Sequence, residues 1–136
     1  MILADTSAWV EYDRGTGTTV HRRLAELIAD DGALAVTQPV IMEVLAGARS
    51  DRHELDLRRL LLRFHLLSFD VAADFDAAAS IYHACRRNGV TPRGMVDCMI
   101  ASVATRYEAT LLAADRDLHR VAAVVGIDID KASTTA

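Results

Sequence analysis

Met1-Ile2-Leu3-Ala4-Asp5-Thr6-Ser7 takes the chain through an apolar run straight into an acid and then two hydroxyls. Unbroken apolar runs suit strands covered on both faces, as in a parallel sheet. Thr and Ser directly after an acid also read as a helix start, because such side chains satisfy its free N–H groups. In open α/β sheets ligands bind beyond the carboxyl ends of the strands, which would put Asp5 at the mouth of a crevice. Taken alone, Asp5 reads equally well as a helix cap with no chemistry. A second apolar run far downstream, Leu111-Leu112-Ala113-Ala114-Asp115, ends the same way and favours the crevice.

Between these runs, strand-like and helix-like stretches alternate. A short helix holds Trp9 and Val10 and breaks at Gly15-Thr16-Gly17; a second carries Leu24, Leu27 and Ile28 and ends at Asp30-Asp31-Gly32. Residues 34–37 form a strand, and Gln38-Pro39 opens a helix, where proline fits the first turn. That helix holds Ile41, Glu43, Val44 and Leu45, with Gly47 as its stop. Residues 51–64 read as an Arg-rich amphipathic helix with Leu57, Leu60, Leu61 and Phe64 inward. A third strand over 66–70 precedes a long helix over 72–87 whose buried side is expected at Phe75, Ala79 and Tyr82. After the Thr91-Pro92-Arg93-Gly94 loop comes a helix with Asp97, Ile100 and Ala101. A strand over 110–114, a helix over 116–125 and a weak fifth strand at 127–129 complete the pattern. Strands alternating with helices mean α/β, with a parallel sheet of four to five strands between helical layers. The expected division is one domain over 1–132 and a frayed tail over 133–136.

Half of the 136 residues are hydrophobic and a quarter are charged, as in an ordinary globular domain. No apolar run approaches the length of a membrane helix, and the early Asp5 interrupts any would-be signal peptide. A cytoplasmic protein is the expectation. Cys85 and Cys98 have neither zinc nor redox spacing and read as free thiols. A net charge of −4 gives no bulk attraction to nucleic acid. Lys131 is the one lysine among fifteen cations; the Arg excess suits phosphate contacts and is equally what an Arg-biased genome would produce.

Most of the nineteen acids, such as Glu26, Asp30, Glu54 and Asp56, fall on polar helix faces and need no explanation. Four differ. Asp5 and Asp115 end apolar strands, Asp97 lies in the first turn of a helix and faces partly inward, and Glu43 sits on a largely apolar helix. If the two strands are neighbours, these groups converge at the carboxyl end of the sheet, where Asp117 could join them. Crowded carboxylates take up protons unless cations hold them apart. Oxygen ligands without His or Cys point to Mg²⁺ or Mn²⁺ rather than zinc, and such a metal suits phosphoryl hydrolysis.

The run from Ile2 to Trp9, the Glu43-Val44-Leu45-Ala46-Gly47 helix, the stretch from Asp97 to Ser102 and Leu112-Ala113-Ala114-Asp115-Arg116-Asp117 resemble the PIN-domain ribonucleases. Over nearly its full length the chain resembles the VapC type, the toxin half of bacterial toxin–antitoxin pairs. The resemblance implies a three-layer α/β/α sandwich and Mg²⁺-dependent endonuclease action on RNA, with structured RNA such as tRNA as substrate. It implies Asp5, Glu43, Asp97 and Asp115 as the acidic metal cluster, with Asp5 and Asp97 the surest ligands. Thr6 or Ser7 would orient Asp5 or a metal-bound water. A homodimer, silenced by a small VapB-type antitoxin that covers the site, is also implied. Two positions depart from the pattern. Ala113 stands where Thr or Ser is frequent, which removes a hydroxyl near Asp115, and Leu118 stands where Phe is frequent.

Three other readings compete. A haloacid-dehalogenase phosphatase needs a second Asp where Ser7 stands, and a receiver domain needs a lysine after a late strand, for which Lys131 lies too far along. The remaining rival is a catalytically inactive PIN-like domain that binds RNA or a partner. Retention of all four acids opposes it.

Overall fold

Strand β1 (Ile2–Ala4) lies between β2 (Leu34–Val36) and β4 (Thr110–Leu112), parallel to both. Leu3 pairs with Ala35 on one side and Leu111 on the other, so the two runs that end in acids are direct neighbours. A short edge strand, β3 (His65–Leu66), adds to β2 and completes the order β3-β2-β1-β4. Leu3, Ala4, Leu34, Ala35, Val36, Leu111 and Leu112 are all buried. Their lack of alternation follows from helices covering both faces of the sheet. The computed structural model describes residues 1–30 and 32–133.

Helices α1 (Thr6–Arg14), α2 (Thr19–Ala29), α3 (Gln38–Ala46) and α4 (Asp51–Leu61) pack in series, α1 on α2 and α3, and α3 on α4. Helices α5 (Val71–Arg87), α6 (Met95–Arg106) and α7 (Arg116–Val125) pack on one another. The result is the α/β sandwich that the sequence pattern implies. Gly15 closes α1 with φ of 62°, a left-handed conformation that glycine adopts without penalty. Trp9 anchors the α1 side, 1% exposed, with the Phe64 ring 5.8 Å away and Tyr12 edge-on at 6.4 Å.

Several sequence expectations shift. α4 stops at Leu61 rather than residue 64; Leu57 and Leu61 are buried, whereas Leu60 and Phe64 are only partly so. β3 begins at His65 and lasts two residues; beyond it the Phe69 N–H donates to Gln38 Oε1, and Asp70 is taken as the cap of α5, accepting from the Ala72 and Ala73 N–H groups. Gly47 ends α3 at φ of −84°, without a left-handed turn.

The inward side of α5 is Asp74, Ala78 and Cys85; Phe75 is half exposed and Ala79 exposed. The cause is Asp74, which is 1% exposed yet fully bonded. It accepts from Ser102 Oγ at 2.6 Å and from Arg106 through Nε at 3.2 Å and Nη2 at 2.6 Å. The Asp70 N–H also donates to it at 2.7 Å. An acid satisfied in this way turns the helix face that an apolar count assigns to solvent.

The fifth strand is reduced to a single parallel bridge, Leu111 to Ile129. Ser133, assigned to the tail, accepts a hydrogen bond from the Ala113 N–H at 3.1 Å, so contact with the sheet runs one residue past the expected boundary. Asp31 and residues 134–136 of the expected tail lie outside the described residues. Among the described residues no helix is long and apolar enough to cross a membrane.

Candidate active site

The sheet itself aims the first acid. The Asp5 N–H continues the β1–β4 ladder by donating to Leu112 O at 2.9 Å, and the residue then caps α1 by accepting from the Ser7 N–H. Asp115, three residues beyond β4, likewise caps a helix, accepting from the Asp117 N–H at the start of α7. Capping a helix therefore does not withdraw either carboxylate from the mouth of the sheet. Asp97 comes from the first turn of α6, and Glu43 from the last half of α3.

All four line one cleft of about 550 Å³, together with Thr6, Ser7, Val10, Glu11, Arg93 and Ala114. Asp5 is 3% exposed, while Glu43, Asp97 and Asp115 are partly buried. The two hydroxyls divide their work. Ser7 Oγ donates to Asp5 Oδ2 at 2.6 Å and accepts from the Ala114 N–H at 2.9 Å, tying the ends of β1 and β4 through the carboxylate. Thr6 Oγ1 donates to Glu43 Oε1 at 2.6 Å. Asp117 lies outside the lining, gripped by Arg93 and Arg120.

Crowding shows in the acidities. Burial raises the Asp5 carboxyl above its ordinary value, with Glu43 adding to the rise and bonds from Ser7 and Thr6 opposing it. Asp97 is pushed up to about 7, first by burial and then by the charges of Asp5, Asp115 and Glu43, with Arg93 pulling the other way. Among the described residues no three His, Cys, Asp or Glu side chains are drawn together as the ligand set of one ion. Thr6, Ser7 and Arg93 hold Glu43, Asp5 and Asp115 to protein partners instead.

Sequence reasoning passed over two lining residues. Glu11 lies four residues beyond Ser7 on α1, a helical spacing that puts it on the same face. In the sequence Arg93 stands out only as part of a loop; its position just ahead of a helix with an acid in its first turn is the available signal. Arg93 Nη2 donates to both Asp115 oxygens at 3.0 Å, and its Nε stands 2.7 Å from Asp117 Oδ2. Ala113 leaves no hydroxyl beside Asp115; the Asp117 N–H and Arg93 orient that carboxylate in its place.

A second, smaller groove of about 140 Å³ adjoins the cleft and shares Val10 and Glu43 with it. Trp9, Val44 and Leu57 form its apolar wall, and Asp13, Arg14, Arg49 and His53 its charged rim. The Trp9 Nε1–H is buried without a hydrogen-bond partner among the described residues.

The model of the PIN domain matches residues 2–124. The chain is 41% identical over 128 residues to VapC ribonuclease Mb1587 of Mycobacterium bovis, covering 93% of this chain and 96% of that one. It matches ribonuclease VapC11 of Mycobacterium tuberculosis to the same extent. Among solved structures it is similar to DNA-bound VapBC from Salmonella typhimurium, with a TM-score of 0.73 at 20% identity, over 95% of this chain and 96% of that one.

Proposed function

This chain belongs to the PIN-domain family and, within it, to the VapC ribonucleases, and on that footing we propose that it is a Mg²⁺-dependent endoribonuclease, the toxin of a toxin–antitoxin pair. One observation carries the reading: Asp5, Glu43, Asp97 and Asp115, from four separate segments, line one cleft at the carboxyl end of the parallel sheet. In chemistry, though not as a ligand set already closed around an ion, the donors suit a hard divalent cation: among the described residues the titratable groups lining the cleft are carboxylates and one Arg, without His or Cys. The raised pKa values of Asp5 and Asp97, owed first to burial and then to neighbouring charges, support the same fit, because an added positive charge favours the ionised carboxylates.

Asp5 and Asp97 are the surest metal ligands, with Asp115 and Glu43 completing the set. A bound Mg²⁺, or Mn²⁺ in its place, would polarise the phosphodiester and raise the acidity of water at the site. The chain's own contribution is orientation. Ser7 fixes the rotation of Asp5 while bonded to the backbone of Ala114, and Thr6 fixes Glu43. In-line attack by water leaves a 5′-phosphate and a 3′-hydroxyl; a 2′,3′-cyclic phosphate would mean that the RNA's own hydroxyl attacks.

Structured RNA such as a tRNA loop is the proposed substrate, because unpaired bases are what proteins read in RNA. The proposed partner is a VapB-type antitoxin, whose peptide would lie in the Trp9–Val44–Leu57 groove and reach the acids through the shared Val10 and Glu43. Leu61, by contrast, is wholly core. We place the protein in the cytoplasm, as a homodimer.

The test is cleavage of RNA by purified protein in EDTA, then with Mg²⁺, Mn²⁺ or Ca²⁺ restored, followed by sequencing of RNA ends after brief expression. Rescue by Mg²⁺ and Mn²⁺ is expected, but not by Ca²⁺, whose larger shell positions water poorly. Full activity in EDTA would overturn the metal assignment.

A further inference from the structure

We propose that Arg93 is a phosphate-gripping residue kept in store by the cleft's own acids: it clamps Asp115 and Asp117 until Asp115 is given over to a divalent ion, and its freed guanidinium then holds a backbone phosphate of the RNA. The inference rests on the nuclease reading above.

Among the described residues Arg93 is the one cation in the lining of the cleft, beside acids and neutral groups. A cleft of that composition repels a polyanion everywhere except at this side chain. Pro92 next to it is buried and anchors the loop, whereas the Arg93 side chain is 71% exposed. Two carboxylates, not packing, hold it where it is. Its fork presents Nη2 to both Asp115 oxygens at 3.0 Å and Nε to Asp117 at 2.7 Å. The same fork matches the oxygens of a phosphate. Among the described residues Nη1 has no hydrogen-bond partner, so part of the guanidinium is open to solvent or substrate.

Release leaves neither acid stranded. Asp117 keeps Arg120, whose Nη1 stands 3.3 Å from Oδ1, and Asp115 keeps the Asp117 N–H of its helix cap. Exposed ion pairs of this kind are weak, so exchanging one carboxylate partner for a phosphate is close to balanced. One arginine can therefore compete with metal before substrate arrives and attract substrate afterwards.

The test compares wild type, Arg93→Gln and Arg93→Lys by titration calorimetry with Mn²⁺ alone, and by binding of a labelled single-stranded RNA in Ca²⁺ across a range of NaCl. Arg93→Gln is expected to bind Mn²⁺ about three- to fivefold more tightly, because a competitor for Asp115 is gone. Its RNA affinity should fall about tenfold at low salt, and the slope of log affinity against log salt should drop by about 0.7, one phosphate contact on a single strand. Arg93→Lys should keep the wild-type slope and lose only part of the affinity. Unchanged or weaker Mn²⁺ binding in Arg93→Gln, or an unchanged salt slope, overturns the proposal. If wild type neither binds Mn²⁺ nor cleaves RNA, the nuclease reading falls and this one with it. If wild type does both and Arg93→Gln matches it, only the role of Arg93 is lost.

Discussion

Helix α6 carries two acid-bearing sites at its two ends, and they have been solved in opposite ways. At its start, Asp97 faces Asp5, Glu43 and Asp115 and is held near neutral by burial and by their charges. Toward its end, Ser102 and Arg106 surround Asp74 on α5. Burial pushes the Asp74 carboxyl upward, but bonds from Arg106, Ser102 and the Asp70 N–H outweigh it, and its pKa ends below the ordinary carboxylate value. Asp74 has its cation inside the fold. Among the described residues the cleft acids have one cation in their lining, Arg93 at the rim. A buried acid that the chain itself neutralises is part of the scaffold, whereas a group of acids left short of positive charge stays mutually repelling until a proton or an outside cation relieves it.

The sharpest way to break this contrast is to neutralise the cleft. Asp5→Asn or Asp97→Asn should cut RNA cleavage by about a thousandfold, the loss expected when several kcal/mol of charge stabilisation goes. Folding should be intact and the metal-free melting temperature slightly higher, because one repelling charge is gone. Wild-type cleavage in either variant at normal Mg²⁺ removes that residue from the site. The same substitution at the other end of α6 should do the reverse. Asp74→Asn leaves Arg106 without its partner and is expected to cost about 3 kcal/mol in urea denaturation, the low end of the range because Arg106 stays one-third exposed. Cleavage per folded molecule should not change.

The two sites also oppose each other in pH. Between the ordinary carboxylate value of 3.8 and about 7, folded protein keeps a proton on Asp97 that unfolded chain has lost. Metal-free stability should therefore fall as pH rises through that window, by about 2 kcal/mol once partial exposure is allowed for. Saturating Mg²⁺ should flatten the slope. Asp74 has a lowered value, so its contribution is complete above the ordinary carboxylate value and is lost only as pH falls through that lowered value. Thermal melts from pH 3 to 8, with and without Mg²⁺, read both, and a metal-free stability that does not fall from pH 4 to 7 would count against the crowding. The smallest effect is at Ser7. Ser7→Ala removes the bond that fixes Asp5 and should weaken Mn²⁺ binding about tenfold; unchanged affinity in calorimetry would leave Ser7 a tie between strands and nothing more.

The cleft was legible and the scaffold site was not, for a physical reason. Asp5 and Asp115 each follow an unbroken apolar run, so the mismatch between charge and surroundings lies within a few consecutive residues. Glu43 and Asp97 show it over one or two helical turns. Asp74 shows nothing locally: its partners Ser102 and Arg106 are 28 and 32 residues away. Without them, apolar periodicity assigned the inward face to Phe75, Ala79 and Tyr82. Arg93 was missed similarly, since its meaning depends on Asp115, 22 residues on. That the sheet is parallel was readable from alternation of runs, but its strand order was not, and β3 shrank as the Phe69 N–H turned to Gln38 and Asp70 became a cap, which a strand-like composition does not reveal.

Asp5 and Asp115 each cap the start of a helix with a carboxylate that also lines the cleft, and this shapes how such a gene would decay under selection. One transition in an Asp codon, GAY to AAY, gives Asn, which keeps an oxygen for the cap and discards the charge. The product would be an abundant, folded and harmless protein, still shaped to occupy its antitoxin. Codon changes to Ala or Gly give up more of the cap with the charge, and cells would clear more of that protein. Inert alleles that persist in a population should therefore be enriched in Asn at these two positions, each one a decoy that draws antitoxin away from active copies.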